Sequence, residues 1–91
     1  MPDAVTLVRS DEPFTAVVDG EVVMFSPAQG AYFGLDPVGT RVWELLEEPR
    51  TIDDVCTILT EEFAVDAKTC HDDVVALVEQ LRDAELVSEV P

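Results

Sequence analysis

The sequence predicts an α+β domain in which a three-stranded antiparallel sheet is followed by three helices, a winged helix-turn-helix-like arrangement. Three observations predict it. Asp19-Gly20 sits between two runs of β-branched and aromatic residues. Asp36-Pro37 opens a stretch with helical apolar spacing. Thr51 and Asp66 each precede a further stretch of the same kind.

Residues 1–13 read as an N-terminal lead-in, and residues 14–91 as the domain proper. Within the lead-in, Val5-Thr6-Leu7-Val8 has the content of a short strand, which Asp11-Glu12-Pro13 interrupts. Phe14-Thr15-Ala16-Val17-Val18 and Glu21-Val22-Val23-Met24-Phe25 are strand-like, and Asp19-Gly20 suits a two-residue hairpin turn with positive φ at both positions. Such a turn pairs Val17 with Val22, Ala16 with Val23 and Phe14 with Phe25. A break at 26–30 leads to a third strand, Ala31-Tyr32-Phe33-Gly34-Leu35. Setting Phe25 near Ala31 and Val23 near Phe33 gathers Phe14, Ala16, Val23, Phe25, Phe33 and Leu35 on one face, the expected core face. Val17, Val22, Met24 and Tyr32 fall on the other.

Asp36 is suited to accept hydrogen bonds from first-turn amides, and Pro37 is tolerated at the first helical position. Val38, Val42, Leu45 and Leu46 continue that helix until Glu48-Pro49 ends it. Thr51, with Asp54 three residues on, resembles a capping box ahead of the stripe Ile52, Val55, Cys56, Leu59 and Phe63. Asp66 caps a third helix with the stripe Cys70, Val74, Leu77, Val78 and Leu81. Trp43, Ile58 and Val75 lie off these stripes.

Composition narrows the function. The chain has 91 residues, enough for one core, and 47% hydrophobic content, a globular value. Its N-terminus lacks a signal-peptide pattern and no apolar run is long enough to span a bilayer, so a cytoplasmic location is expected. Net charge is −15, from 20 acidic and 5 basic residues. That opposes binding to nucleic acid and to anionic membranes, where affinity comes largely from Lys and Arg. It fits a cationic partner and equally fits simple solubility.

Nothing in the sequence assembles an enzyme. His71 is the single histidine and adjoins Cys70; neighbours on a helix point about 100° apart, a poor arrangement for cooperation. The two cysteines, without a Cys-x-x-Cys pair, suit small buried hydrophobes better than a metal site. No phosphate loop or metalloprotease motif is present. Ser10, Ser26 and Ser88 do not open predicted helices, which excludes a phosphopantetheine carrier. No cofactor is expected. The third helix carries Asp72, Asp73, Glu79, Asp83 and Glu85 against Lys68 and Arg82, so phosphate would repel it as a recognition helix.

What remains is the side of the strand at 31–35 that the meander leaves unpaired. This segment has no charge and no proline, and Gly34 permits close backbone approach. An unprotected edge of this kind suits strand addition by a peptide. Cover by the N-terminal segment or a helix is the alternative.

The run from Ala31 to Leu46, AYFGLDPVGTRVWELL, resembles the PqqD-like family of RiPP recognition elements, peptide chaperones of ribosomally made natural products. The aromatic pair Tyr32-Phe33 and Trp43 look most like the stand-alone lasso-peptide members. Thr51-Ile52-Asp53-Asp54-Val55 and the run from Asp73 to Leu81 are similar to the family's second and third helices. Glu85-Leu86-Val87 departs from the family's usual Gly-Leu-Leu or Gly-Leu-Val. The resemblance spans roughly residues 14 to 87. It implies that the domain binds the leader segment of a precursor peptide by strand addition and hands it to a leader peptidase and a cyclase. It implies strand contacts at Tyr32, Phe33, Gly34 and Leu35, and a helix wall from Val74, Val75, Val78 and Arg82. Alternative readings are a chaperone for the pyrroloquinoline quinone precursor, an acidic winged-helix regulator acting through protein contacts, and a subunit that dimerises through the edge.

Overall fold

The computed structural model describes residues 5–10, 14–27 and 29–90. The chain runs through β1 (Thr6–Arg9), β2 (Phe14–Val18), β3 (Glu21–Ser26), β4 (Ala31–Gly34), α1 (Pro37–Leu45), β5 (Arg50–Thr51), α2 (Ile52–Glu62), α3 (Ala67–Asp83) and β6 (Val87–Glu89). The strands form two antiparallel sheets, ordered β2-β3-β4 and β5-β1-β6. The first sheet with the three helices is the predicted α+β layout. Among the described residues, no helix is long and apolar enough to cross a membrane.

Local signals set most boundaries. Asp19 and Gly20 have φ of 53° and 82°, as the two-residue turn requires, and the β2–β3 pairing is the predicted one. Asp36 caps α1 by accepting from the Gly39 amide at 2.7 Å. Thr51 and Asp54 complete a reciprocal capping box on α2, and Asp66 caps α3. Val42, Leu45, Leu46, Ile52, Val55, Leu59, Cys70, Val74, Val78 and Leu81 are buried together.

The expected core face of the first sheet is corrected. Ser26 pairs with Ala31, Met24 with Phe33 and Val23 with Gly34, one residue away from the predicted register. The connection is therefore four residues, 27–30, closed by the Gly30 amide on the Ser26 carbonyl at 2.8 Å with Gly30 at φ 63°. A slip of one residue moves every side chain of a strand to the opposite face. Val22, Met24 and Ser26 are buried, and Phe33 packs against the same core. Phe14, by contrast, is 73% exposed and Tyr32 is 76% exposed.

The second sheet draws residues from both ends of the described chain. Leu7, 1% exposed, enters the core from β1, which pairs with β5 on one side and β6 on the other. Arg9 leaves β1 toward α1. Its guanidinium lies 5.3 Å from the Trp43 ring centroid and donates to the Trp43 carbonyl at 3.3 Å. Trp43, off the stripe by its spacing, is thus buried, with the Arg9 side chain of β1 over its ring. The interruption predicted at Asp11-Glu12-Pro13 lies outside the described residues.

At the end of α3 the Leu86 amide donates to the Leu81 carbonyl (2.8 Å) and the Glu85 amide to the Arg82 carbonyl (3.0 Å). These are the two bonds of a Schellman ending, in which glycine is the favoured left-handed residue. Glu85 occupies that position at φ 62°. Glu85→Gly is expected to stabilise the fold by about 1 kcal/mol, since a side chain in this conformation is disfavoured by roughly that amount. A thermal melt should show a midpoint about 4–8 °C higher.

Candidate functional site

The site grows from the way β4 ends. The Leu35 amide donates to the Val22 carbonyl at 2.9 Å. An uninterrupted antiparallel ladder would return a bond from the Val22 amide to the Leu35 carbonyl. Instead the Thr40 hydroxyl stands between them: it accepts from the Val22 amide (3.0 Å) and donates to the Leu35 carbonyl (3.3 Å). The hydroxyl satisfies both groups and ends the pairing where the chain turns into α1. At the other end of β4, Ser26 Oγ donates to the Ala84 carbonyl (3.1 Å) and Gln29 Nε2 to the Asp83 carbonyl (3.2 Å). Both ends of β4 are thus fixed by neighbouring groups.

Backbone alternation then fixes the free side. Because Leu35 bonds to β3, so do Phe33 and Ala31, while Tyr32 and Gly34 turn their amides and carbonyls outward. Among the described residues no strand pairs with that side of β4, and β1 is committed to the other sheet. A Cβ added at Gly34 would meet nothing within 4 Å, so the protein's own packing does not require glycine there.

Beside this edge lies a cleft of about 490 Å³ between the β4–α1 junction and α3. Gly34, Leu35, Val38, Gly39 and Val42 form one wall; Val65, Thr69, Cys70, Val74 and Leu77 form the other; Asp36 and Asp73 add carboxylates. Gly39 leaves room beside the capping carboxylate of Asp36. A methyl there would come within 3.1 Å of Asp36 Oδ1 and 3.5 Å of Leu77 Cδ2. The volume lies within the usual range for ligand pockets, and the lining is mostly apolar with few polar groups. Nearby, Arg41 forms a two-bond pair with Glu62 at 2.8 and 2.9 Å, joining α1 to α2. The hydrogen bonds of this pair hold the Glu62 carboxyl below its ordinary pKa and raise that of Arg41. Among the described residues no group of three His, Cys, Asp or Glu is placed to hold a metal ion.

The structure brings three of the eight sequence-predicted site residues into the cleft: Gly34, Leu35 and Val74. Tyr32 offers its backbone to the edge, but its ring lies on the outer sheet face, 4.9 Å from the Phe25 ring. That face holds a separate depression of about 330 Å³. Phe33 turns inward against the core. Val75 is half-buried outside the cleft lining, and Val78, 1% exposed, has no surface left for a guest. Arg82 pairs with Glu89 of β6 at 3.1 Å. On α3 the cleft is lined by Thr69, Cys70, Asp73, Val74 and Leu77, and not by Val75, Val78 or Arg82. The sequence did mark Leu77, as a member of the buried stripe; it is half-buried, and this incomplete burial is what leaves it lining a cleft.

Comparisons with known proteins bear on the family and the fold. The family model described as coenzyme PQQ synthesis protein D matches residues 21–87. The chain belongs to the PqqD family. The sequence resemblance to PqqD-like recognition elements holds, including the likeness to lasso-peptide members. TbiB1, solved in complex with the TbiA(β) leader peptide, is 34% identical, with a TM-score of 0.78 over 92% of this chain and 98% of that one. A lasso peptide synthetase B1 complexed with its leader peptide is 24% identical, with a TM-score of 0.74 over 93% and 98%. The PqqD part of Methylobacterium extorquens PqqCD is 14% identical, with a TM-score of 0.78 over 97% and 94%. The last two show a shared fold. No curated protein sequence matches the chain.

Proposed function

We propose that this PqqD-family protein binds the leader segment of a ribosomally synthesised precursor, of the lasso-peptide kind, and presents it to a leader peptidase and a cyclase. The observation that carries this reading is the unpaired outer side of β4 next to an apolar cleft. A leader segment would add as a strand, exchanging bonds with the outward backbone groups of Tyr32 and Gly34. Its side chains would enter the cleft between Leu35 and the Val74–Leu77 wall. Backbone pairing supplies sequence-tolerant affinity and the cleft supplies selection. The protein's part is to hold the substrate: tethering raises substrate concentration beside the enzymes, which perform the chemistry. The proposed setting is the cytoplasm, where precursors are synthesised. The relation to TbiB1 favours a lasso precursor, while the family description favours the alternative of a pyrroloquinoline quinone precursor.

The test is fluorescence polarisation with labelled leaders of candidate precursor peptides. Saturable binding in the micromolar range or tighter is expected, with the core segment alone silent. Failure of every such leader to saturate would defeat the proposal, and the identity of a binding precursor decides between the two pathways.

A further inference from the structure

The cleft's charge goes beyond what strand addition explains. All five basic residues among the described elements are engaged with carboxylates: Arg9 with Glu47, Arg41 with Glu62, Arg50 with Glu48, Lys68 with Asp72 and Arg82 with Glu89. None of them lines the cleft. Two carboxylates do. Asp36 has committed Oδ1 to the amide of Gly39, which leaves it a capping group. The Asp73 side chain has no hydrogen bond or ion pair among the described residues, and it stands one helical turn from Leu77 on the α3 wall. An aliphatic trough with an unmatched carboxylate suits a long side chain whose stem is apolar and whose tip is cationic.

Resting on the leader-binding reading, we propose that the guest strand carries a lysine or arginine whose stem lies along Leu77 and Val74 and whose charge pairs with Asp73. Asp73 is then a specificity-determining residue, and the site's ligand class is a basic peptide. The chain's net charge of −15 adds attraction of the same sign at long range, but that attraction selects no position. A pair formed at Asp73 does, because only one residue of a registered strand reaches it.

A phage-displayed library of random dodecapeptides, selected on the full-length protein, tests this without knowledge of the natural leader. The wild type should enrich Lys or Arg at one fixed position relative to an apolar residue. Asp73→Asn should abolish that enrichment, and Asp73→Lys should replace it with Asp or Glu. A synthetic selected peptide should bind Asp73→Asn roughly threefold to tenfold more weakly, as expected for a partly exposed charged pair. Replacing its basic residue with norleucine should remove the difference between the two proteins. Circular dichroism confirms that both variants fold. Peptides selected without a basic position, or with one that is unaltered in Asp73→Asn, would overturn the inference and leave leader binding standing. Failure to select any peptide would overturn both.

Discussion

Gly34→Pro is expected to weaken leader binding about a hundredfold while the domain stays folded. The amide at this position faces away from β3, so proline removes no bond of the existing ladder. It removes the donor offered to the guest and sets a ring where the guest backbone must approach. A lost bond and a stranded guest carbonyl together amount to about 2–3 kcal/mol, hence the hundredfold estimate. Polarisation with the labelled leader measures the effect, and circular dichroism reports the fold. Gly34→Ala provides the contrast. Its methyl group meets nothing within the protein, so the fold should be unaffected, and any loss of affinity reports directly on the guest. Equal affinity for wild type and the proline variant would exclude β4 as the docking strand.

Leu7→Ala is expected to destabilise the domain by about 2–5 kcal/mol, the usual range for emptying a buried leucine site. Leu7 is 1% exposed and sits on the central strand of the second sheet. Thermal denaturation should show a midpoint lower by roughly 10–30 °C for a domain of this size. A shift of only a degree or two would mean that β1 is an accessory rather than a part of the core. The result also bears on where the domain begins. A unit starting at residue 14 would lose Leu7, the partner of both β5 and β6, and the arginine that covers Trp43.

The parts of the fold that were legible are those fixed by neighbours in sequence. Asp19-Gly20 specifies its own turn, and Asp36, Thr51 and Asp66 each bond an amide three residues on. Of the second sheet only β1 was legible, as the strand-like run Val5–Val8; its pairing was not, because the strands have four, two and three residues and pair across long separations. No periodicity can build up over so few positions. Trp43 was misjudged for the same reason: a single stripe assumes one buried face, whereas α1 is covered on two. The register of β4 depended on a loop closure and on Thr40, which lies beyond the strand itself. The vacant edge was nevertheless readable, since its lack of charge and proline is local. Of the expected helix wall only Val74 lines the cleft, because a helical wheel gives relative angles but not the direction in which β4 lies.

The brevity of β4 has a consequence for fidelity. Four residues give only Tyr32 and Gly34 outward, and therefore at most a handful of main-chain bonds to an incoming segment. At about 0.5–1.5 kcal/mol net apiece, that grip is smaller than the several kcal/mol that immobilising a flexible chain requires. Unrelated extended peptides in the cell should therefore slide off quickly. On the proposed docking mode, only a substrate whose side chains also fill the neighbouring hollow would stay long enough to be processed, so the shortness of the platform would act as a proofreading device.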